Sequence, residues 1–214
     1  MLSDNYSPMD RFIIGVDQAV RILFGHPQES GRSNPATNIG NTDLSPMDRD
    51  LVGRLLRVNH SSEICTQAIY QGQALTANSE EVRTGLEQAI AEENDHLAWC
   101  QSRLQDFEYS TSILNPVLYA GSFALGTLSG IAGEQWTLAL IAATERHVEN
   151  QIIDHLGKIP EQDQKTRAIL KQIQQDETSH ADRALAAGAA ELPEPVKAAV
   201  NLASKVVNNI TYWI

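Results

Sequence analysis

The chain has 214 residues, 42% hydrophobic and 20% charged, which fits a folded domain with a sizeable core rather than a disordered segment. A net charge of −11 argues against nucleic acid as a partner and against a membrane contact driven by basic residues. Cys65 and Cys100 stand in no C-x-x-C pattern and read as reduced core thiols, and Met1 to Asp10 lacks the basic-then-apolar pattern of a secretion signal, so a cytoplasmic location is expected.

Asp10 to Gly25 repeats apolar residues with a helical period, placing Phe12, Val16, Ala19 and Leu23 on one face. His26 to Leu44 is rich in Pro, Gly, Ser and Asn and reads as a linker or an ordered surface loop. Residues 1–44 are therefore expected to form an N-terminal amphipathic helix and linker, and residues 45–214 a single helical-bundle domain. Ser45-Pro46 is a helix start, with serine at the N-cap and proline at the first helical position; periodicity then runs to about Ala77. A further helix is expected from about Ser79 to Asp106.

Tyr109 to Gly133 contains no charged residue. It is long enough for a membrane span, but Pro116, four glycines and interspersed serines and threonines favour a buried or interfacial crossover helix. Glu134 to Leu156 is helical by pattern, with Gly157 as the expected C-cap. Pro160 is expected to open the next helix, which stops near Gly188. Pro193 and Pro195 start a last helix. No alternating β-branched run appears, so the chain reads as all-α.

The chemistry rests on a motif that occurs twice. Glu93-Asn94-Asp95-His96 and Glu177-Thr178-Ser179-His180 are both Glu-x-x-His, whose two ends share one side of a helix. Random placement of 15 glutamates and 6 histidines over 214 positions gives about 0.4 such matches, so two are a strong signal. A lone glutamate precedes each: Glu63 by 30 residues and Glu145 by 32. Glu63 follows Val52, Leu55 and Leu56 down an apolar face, and Glu145 follows Leu138 and Ile141, odd places for carboxylates whose role is solubility. Glu149, one turn beyond Glu145, is the alternative third-helix ligand.

Two helical hairpins joined by the uncharged crossover, each offering one glutamate and one Glu-x-x-His, match a ferritin-like four-helix bundle holding a di-iron carboxylate site. Glutamate oxygens can bridge two ions, four of them balance two Fe(II), and one imidazole per ion leaves open positions for dioxygen. The expected metal set is Glu63, Glu93, His96, Glu145, Glu177 and His180. Around it, His60 is read as a neighbour of the site or a surface group, Tyr70 as a neighbour of the site or core filling, Asp95 and Asp176 as exposed or beside the ligands, and His147 and His155 as surface residues.

The same stretches resemble the bacterial Coq7-type demethoxyubiquinone hydroxylases of ubiquinone biosynthesis. Leu56-Arg57-Val58-Asn59-His60-Ser61-Ser62-Glu63 is similar to that family's "L-R-V-[DN]-H-x-x-E" signature, continuing into Ala68-Ile69-Tyr70-Gln71-Gly72-Gln73. Glu92 to Cys100, Ala143 to Glu149 and Asp176 to His180 resemble its other signatures, and Tyr6 to Arg11 and Thr211 to Ile214 its ends. Two departures stand out: Ser61-Ser62 where Ala-Gly is usual, and Gln151 where a histidine is frequent.

The resemblance implies the same six ligands and two iron ions. It implies dioxygen as co-substrate, NADH or the quinol itself as reductant, and a polyprenylated demethoxyubiquinol as substrate. Arg54 and Arg57 are candidates for meeting an anionic reductant. The lipid substrate implies a peripheral location on the cytoplasmic side of the inner membrane, with the Asp10–Gly25 helix and the uncharged stretch, through Phe12 and Phe123, as candidate contact surfaces. Other ubiquinone-biosynthesis proteins and a second copy of the chain are possible partners. An iron-storage or peroxide-reducing ferritin-like protein is the alternative function, and a metal-free interaction bundle a third.

Overall fold

The computed structural model describes residues 7–77 and 79–214. Seven helices and no strand occur among these residues: α1 (Pro8–Phe24), α2 (Pro46–Thr76), α3 (Glu80–Asp106), α4 (Asn115–Ala132), α5 (Glu134–Lys158), α6 (Gln164–Ala186) and α7 (Glu194–Trp213). The architecture is the expected all-α, ferritin-like bundle.

Most starts follow local chemistry. Ser7 and Asp10 form a reciprocal capping box on α1. Ser45 accepts from the Asp48 amide on α2, and Ser79 from the Val82 amide on α3. Two expected boundaries move. Gly157 does not end α5, because the Ile159 amide still bonds the His155 carbonyl at 2.9 Å and Ile159 is buried in the core. Pro160 opens a turn closed by the Asp163 amide, and α6 starts only at Gln164, where the Asp163 carboxylate caps Thr166.

α2 and α3 form one hairpin, α5 and α6 the other, and α4 crosses between them packed along α2. The glycines of the uncharged stretch explain that packing. A Cβ on Gly126 would overlap the Ile69 carbonyl oxygen and lie 2.8 Å from the Ile69 Cα; a Cβ on Gly130 would overlap the Thr76 hydroxyl oxygen. On the facing helix, a Cβ on Gly72 would stand 2.7 Å from the Thr127 amide nitrogen. The two backbones touch where a side chain would have kept them apart. No described helix is long and apolar enough to cross a membrane.

Two apolar clusters fill the bundle. One gathers Leu55 and Leu56 of α2, Trp99 and Leu104 of α3, Ile152 of α5 and Ile173 of α6. The other gathers Tyr70, Ile90, Ile141 and Ala184 from the same four helices. All six expected ligands lie between the two clusters along their helices: on α3, α5 and α6 the interval is short and mostly polar, and on α2 it also carries Ile64 and Ala68. A third cluster seats α1 (Ile22) and α4 (Tyr119) against Ile64 and Ala68 of α2.

Candidate metal centre

The structure brings the six residues together. Glu63, Glu93, His96, Glu145 and Glu177 are fully buried and His180 nearly so. Among the described residues their donor atoms form two groups, each able to hold a metal ion: Glu63, Glu93, His96 and Glu177, and Glu93, Glu145, Glu177 and His180. Glu93 and Glu177 belong to both, Glu63 and His96 to one, Glu145 and His180 to the other. Each Glu-x-x-His thus gives a glutamate to both groups and a histidine to one.

The fit of a cation can be tested on the side-chain atoms themselves. Nine of these buried oxygens and nitrogens have no hydrogen-bond partner: both oxygens of Glu63, Glu93 and Glu177, Oε2 of Glu145, and Nδ1 of His96 and His180. Buried polar atoms are ordinarily paired, and nine that converge on one spot without a well-formed hydrogen bond fit donors to a cation. His96 Nδ1 lies 3.1 Å from Glu177, 3.4 Å from Glu93 and 3.5 Å from Glu63; His180 Nδ1 lies 3.3 Å from Glu93. The donor set, hard carboxylates with two imidazoles, suits iron.

The other ring nitrogens are occupied. His96 Nε2 is 2.9 Å from Asp176 Oδ2, and His180 Nε2 is 2.6 Å from Glu92 Oε2. Asp176 immediately precedes Glu177, and Glu92 immediately precedes Glu93. The acid before each motif therefore holds the histidine of the other motif, across the contact between α3 and α6. An Nε2–H donated to a carboxylate fixes the tautomer and turns the Nδ1 lone pair inward. Neither Glu92 nor Asp176 carries a motif of its own; the signal the sequence offers for them is an acid one position before both motifs. Asp95, which sits inside the first motif, is fully buried and faces away from the donors.

The neighbouring residues sort as follows. The Tyr70 hydroxyl donates to Glu145 Oε1, so Tyr70 stands beside the site. Glu149 lies outside both donor groups, bonded to Arg146 at 2.8 Å and Thr178 at 2.7 Å. His155 is buried rather than on the surface, because it lies one turn beyond Gln151 on the inner face of α5; its Nδ1 is 3.1 Å from Asn59 Oδ1. His147 is half-buried. His60 is buried against Asn115. The two departures from the family pattern touch each other: Gln151 Nε2 donates to Ser62 Oγ at 3.1 Å and to Asn59 Oδ1 at 3.0 Å. Arg54 is engaged by Asp50 and stacks over Trp213, and Arg57 donates to the Ser110 carbonyl. Both cysteines are free.

Charge at this cluster is set by burial and by its neighbours. Burial, reinforced by neighbouring glutamates, raises Glu63 and Glu145 well above the usual carboxylate range. Burial alone would lower His96 and His180, but the surrounding carboxylates outweigh it, raising His96 well above its usual value and His180 to about 12. A divalent ion would take over the role of these protons.

A sign follows for the metal-free protein. With Glu63, Glu145, His96 and His180 all raised, the folded state holds more protons than the unfolded chain, so stability is lost as pH rises. Burial lowers His60, His147 and His155, the first and last to about 4, and these act in the opposite sense as the unfolded chain takes up protons near and below pH 6.5, offsetting part of the stability gained there. The metal-free protein is therefore expected to gain thermal stability as pH falls from about 8 to 6.5, whereas the extra stability conferred by metal shrinks, because protons compete for the ligands. Unfolding midpoints with and without a chelator check both signs.

Comparison with known proteins identifies the family. A family model described as ubiquinone biosynthesis protein COQ7 matches residues 50–211. A 3-demethoxyubiquinol 3-hydroxylase of Nitrosococcus oceani is 48% identical over 208 residues, 97% of both chains. Proteins of the same name from Ectopseudomonas mendocina and Acinetobacter baylyi are each 45% identical, over 98% of this chain and 97% and 99% of theirs. With a family match that runs from within α2 into the last turn of α7, and relatives alike over nearly their whole length, the chain belongs to the COQ7 family of ubiquinone-biosynthesis proteins.

Proposed function

We propose that the protein is a di-iron monooxygenase that hydroxylates the ring of a polyprenylated demethoxyubiquinol in ubiquinone biosynthesis. The observation that carries this reading is the set of nine unpartnered buried donor atoms, in a chain whose relatives bear the name of that reaction. Iron storage or peroxide reduction would use the same donors, but is not what those names describe.

Bound iron supplies a reducible centre that activates dioxygen. The chain's residues supply the rest. Glu63 and His96 would serve one ion, Glu145 and His180 the other, and Glu93 and Glu177 could contribute to both. Four carboxylates balance the charge of two Fe(II). The apolar clusters on both sides keep bulk water from the donors. Asp176 and Glu92 hold the imidazoles through Nε2, and the Tyr70 hydroxyl occupies Oε1 of Glu145, leaving Oε2 for the metal. Electrons would come from NADH or the quinol; the sequence has no dinucleotide-binding fingerprint, so the nicotinamide would be met without a dedicated fold.

The protein would work as a peripheral protein on the cytoplasmic side of the inner membrane. Ile13, Val16, Val20 and Phe24 form an exposed row on α1; Val117, Leu128 and Ile131 are exposed on α4. Such rows suit the interface of a bilayer. The Phe12 side chain lies outside the described residues, and Phe123 is half-buried, stacked on Tyr119. Leu128 is therefore the better probe of α4: combining Val20→Asp with Leu128→Asp should move the folded protein from vesicles into solution, and vesicle binding unchanged in flotation would contradict the contact.

The reaction itself is tested by supplying iron-loaded and metal-stripped protein with a short-tailed demethoxyubiquinone and NADH. Hydroxylated product is expected only with iron. Iron-loaded protein that forms none would overturn the proposal.

A further inference from the structure

The segment between α1 and α2, residues 25–45, is a strap laid across α3. The Gly25 carbonyl accepts from Gln101, and Ala36 is buried in the bundle core. Its grip centres on Asp95, inside the first Glu-x-x-His motif. Asp95 Oδ1 accepts from the Ser30 amide at 2.7 Å, and Oδ2 from the Ser30 hydroxyl at 2.6 Å and Arg32 Nε at 2.9 Å. The guanidinium lies over the Trp99 ring, 5.0 Å from its centroid. This cradle presents the far end of Arg32 to the second motif: NH1 is 3.0 Å from Asp176 Oδ2, the same oxygen that meets His96 Nε2 at 2.9 Å. Gln172 donates to the other oxygen, Oδ1, at 3.1 Å.

We propose that Arg32 is a positioning residue for the metal centre: from outside the bundle it fixes the Asp176 carboxylate that holds His96, and so tightens the metal position that His96 serves. The proposal rests on the two-metal reading above. The opposite position has its own arrangement, in which Arg183 of α6 stands 3.2 Å from Glu92 Oε2, the oxygen that meets His180. Each histidine–carboxylate pair is thus completed by an arginine, but only the His96 pair is completed from outside the four-helix bundle, by the strap that precedes α2. Arginine suits the task because one planar fork reaches two carboxylates and stacks on an indole; a lysine makes a single point contact. Groups that hold a ligand's partner ordinarily alter metal affinity about 10–100-fold. By linkage, whatever factor the docked strap adds to metal affinity, the metal adds to strap docking.

The test is titration of the metal-free full chain with cobalt(II) against a competing chelator, reading the absorption of each bound ion. Wild-type protein is expected to bind two ions. Arg32→Ala should lose about 10–100-fold in affinity at one position and little at the other, and Arg32→Lys should recover part of the loss. Two ions bound at wild-type affinity by folded Arg32→Ala overturn the positioning role alone. Fewer than two ions bound by the wild type overturn the metal reading and this proposal with it. Should Arg32→Ala not fold, hydrogen exchange in the wild type decides. Cobalt should slow exchange of the Ser30 amide, which Asp95 holds, and an unchanged rate overturns the proposal.

Discussion

Glu177→Ala or Glu93→Ala will remove a donor from both metal positions at once, because those two glutamates belong to both donor groups. Iron content is expected to fall from two per chain to below one, and kcat/KM by about a thousandfold or more, the equivalent of about 4 kcal/mol of transition-state stabilisation. Glu63→Ala and Glu145→Ala each touch one group only and should keep about one ion. This asymmetry separates a shared two-ion centre from two independent sites, in which all four variants would behave alike. Helix content by circular dichroism should stay near wild type in all four, because the apolar clusters on either side of the site are left intact. Glu177→Ala protein that keeps both ions would contradict the assignment of its carboxylate.

Gly126→Ala is expected to be among the most destabilising single-methyl additions to the chain. The new Cβ would overlap backbone, the Ile69 carbonyl, so no rotamer change relieves it and α4 must move off α2. Overpacking of this kind costs about 1–3 kcal/mol or more, against which alanine returns about 0.5–1 kcal/mol of helix propensity. For a chain of this size a net loss of about 2 kcal/mol lowers the unfolding midpoint by roughly 4–8 °C. Gly121→Ala is the control: nothing stands within 4 Å of its Cβ, so only the helix-propensity gain remains and the midpoint should hold or rise slightly. Equal midpoints for the two variants would show that α4 does not need the close approach.

The six donors were legible because their signal is local and repeated. An i, i+3 pair is fixed by helix geometry alone, and a glutamate within an apolar stripe is conspicuous on any helix. What surrounds them depends on packing between helices distant in sequence. Glu92 and Asp176 lie one residue, about 100° of helix, away from the ligands they precede, and only the contact of α3 with α6 aims each at the other's histidine. Arg32 lies 63 residues from Asp95 and further from Asp176, in a stretch whose composition says only "loop". His155 carries no motif; its burial follows from the inward rotation of α5, which also buries Gln151. The glycines of α4 were legible as interruptions of a membrane span, but not as the surface on which two backbones meet. Gly157 and Pro160 misled for a related reason: the buried Ile159 and the Asp163 cap decide where α5 ends and α6 begins.

On the proposed reading these donors hold an oxygen-activating centre that acts on a quinol ring. The most direct measurement supplies iron-loaded protein, a demethoxyubiquinone and NADH with isotopically labelled dioxygen in unlabelled water. The label is expected in the new ring hydroxyl; a hydroxyl that carries oxygen from water would overturn the proposed reaction.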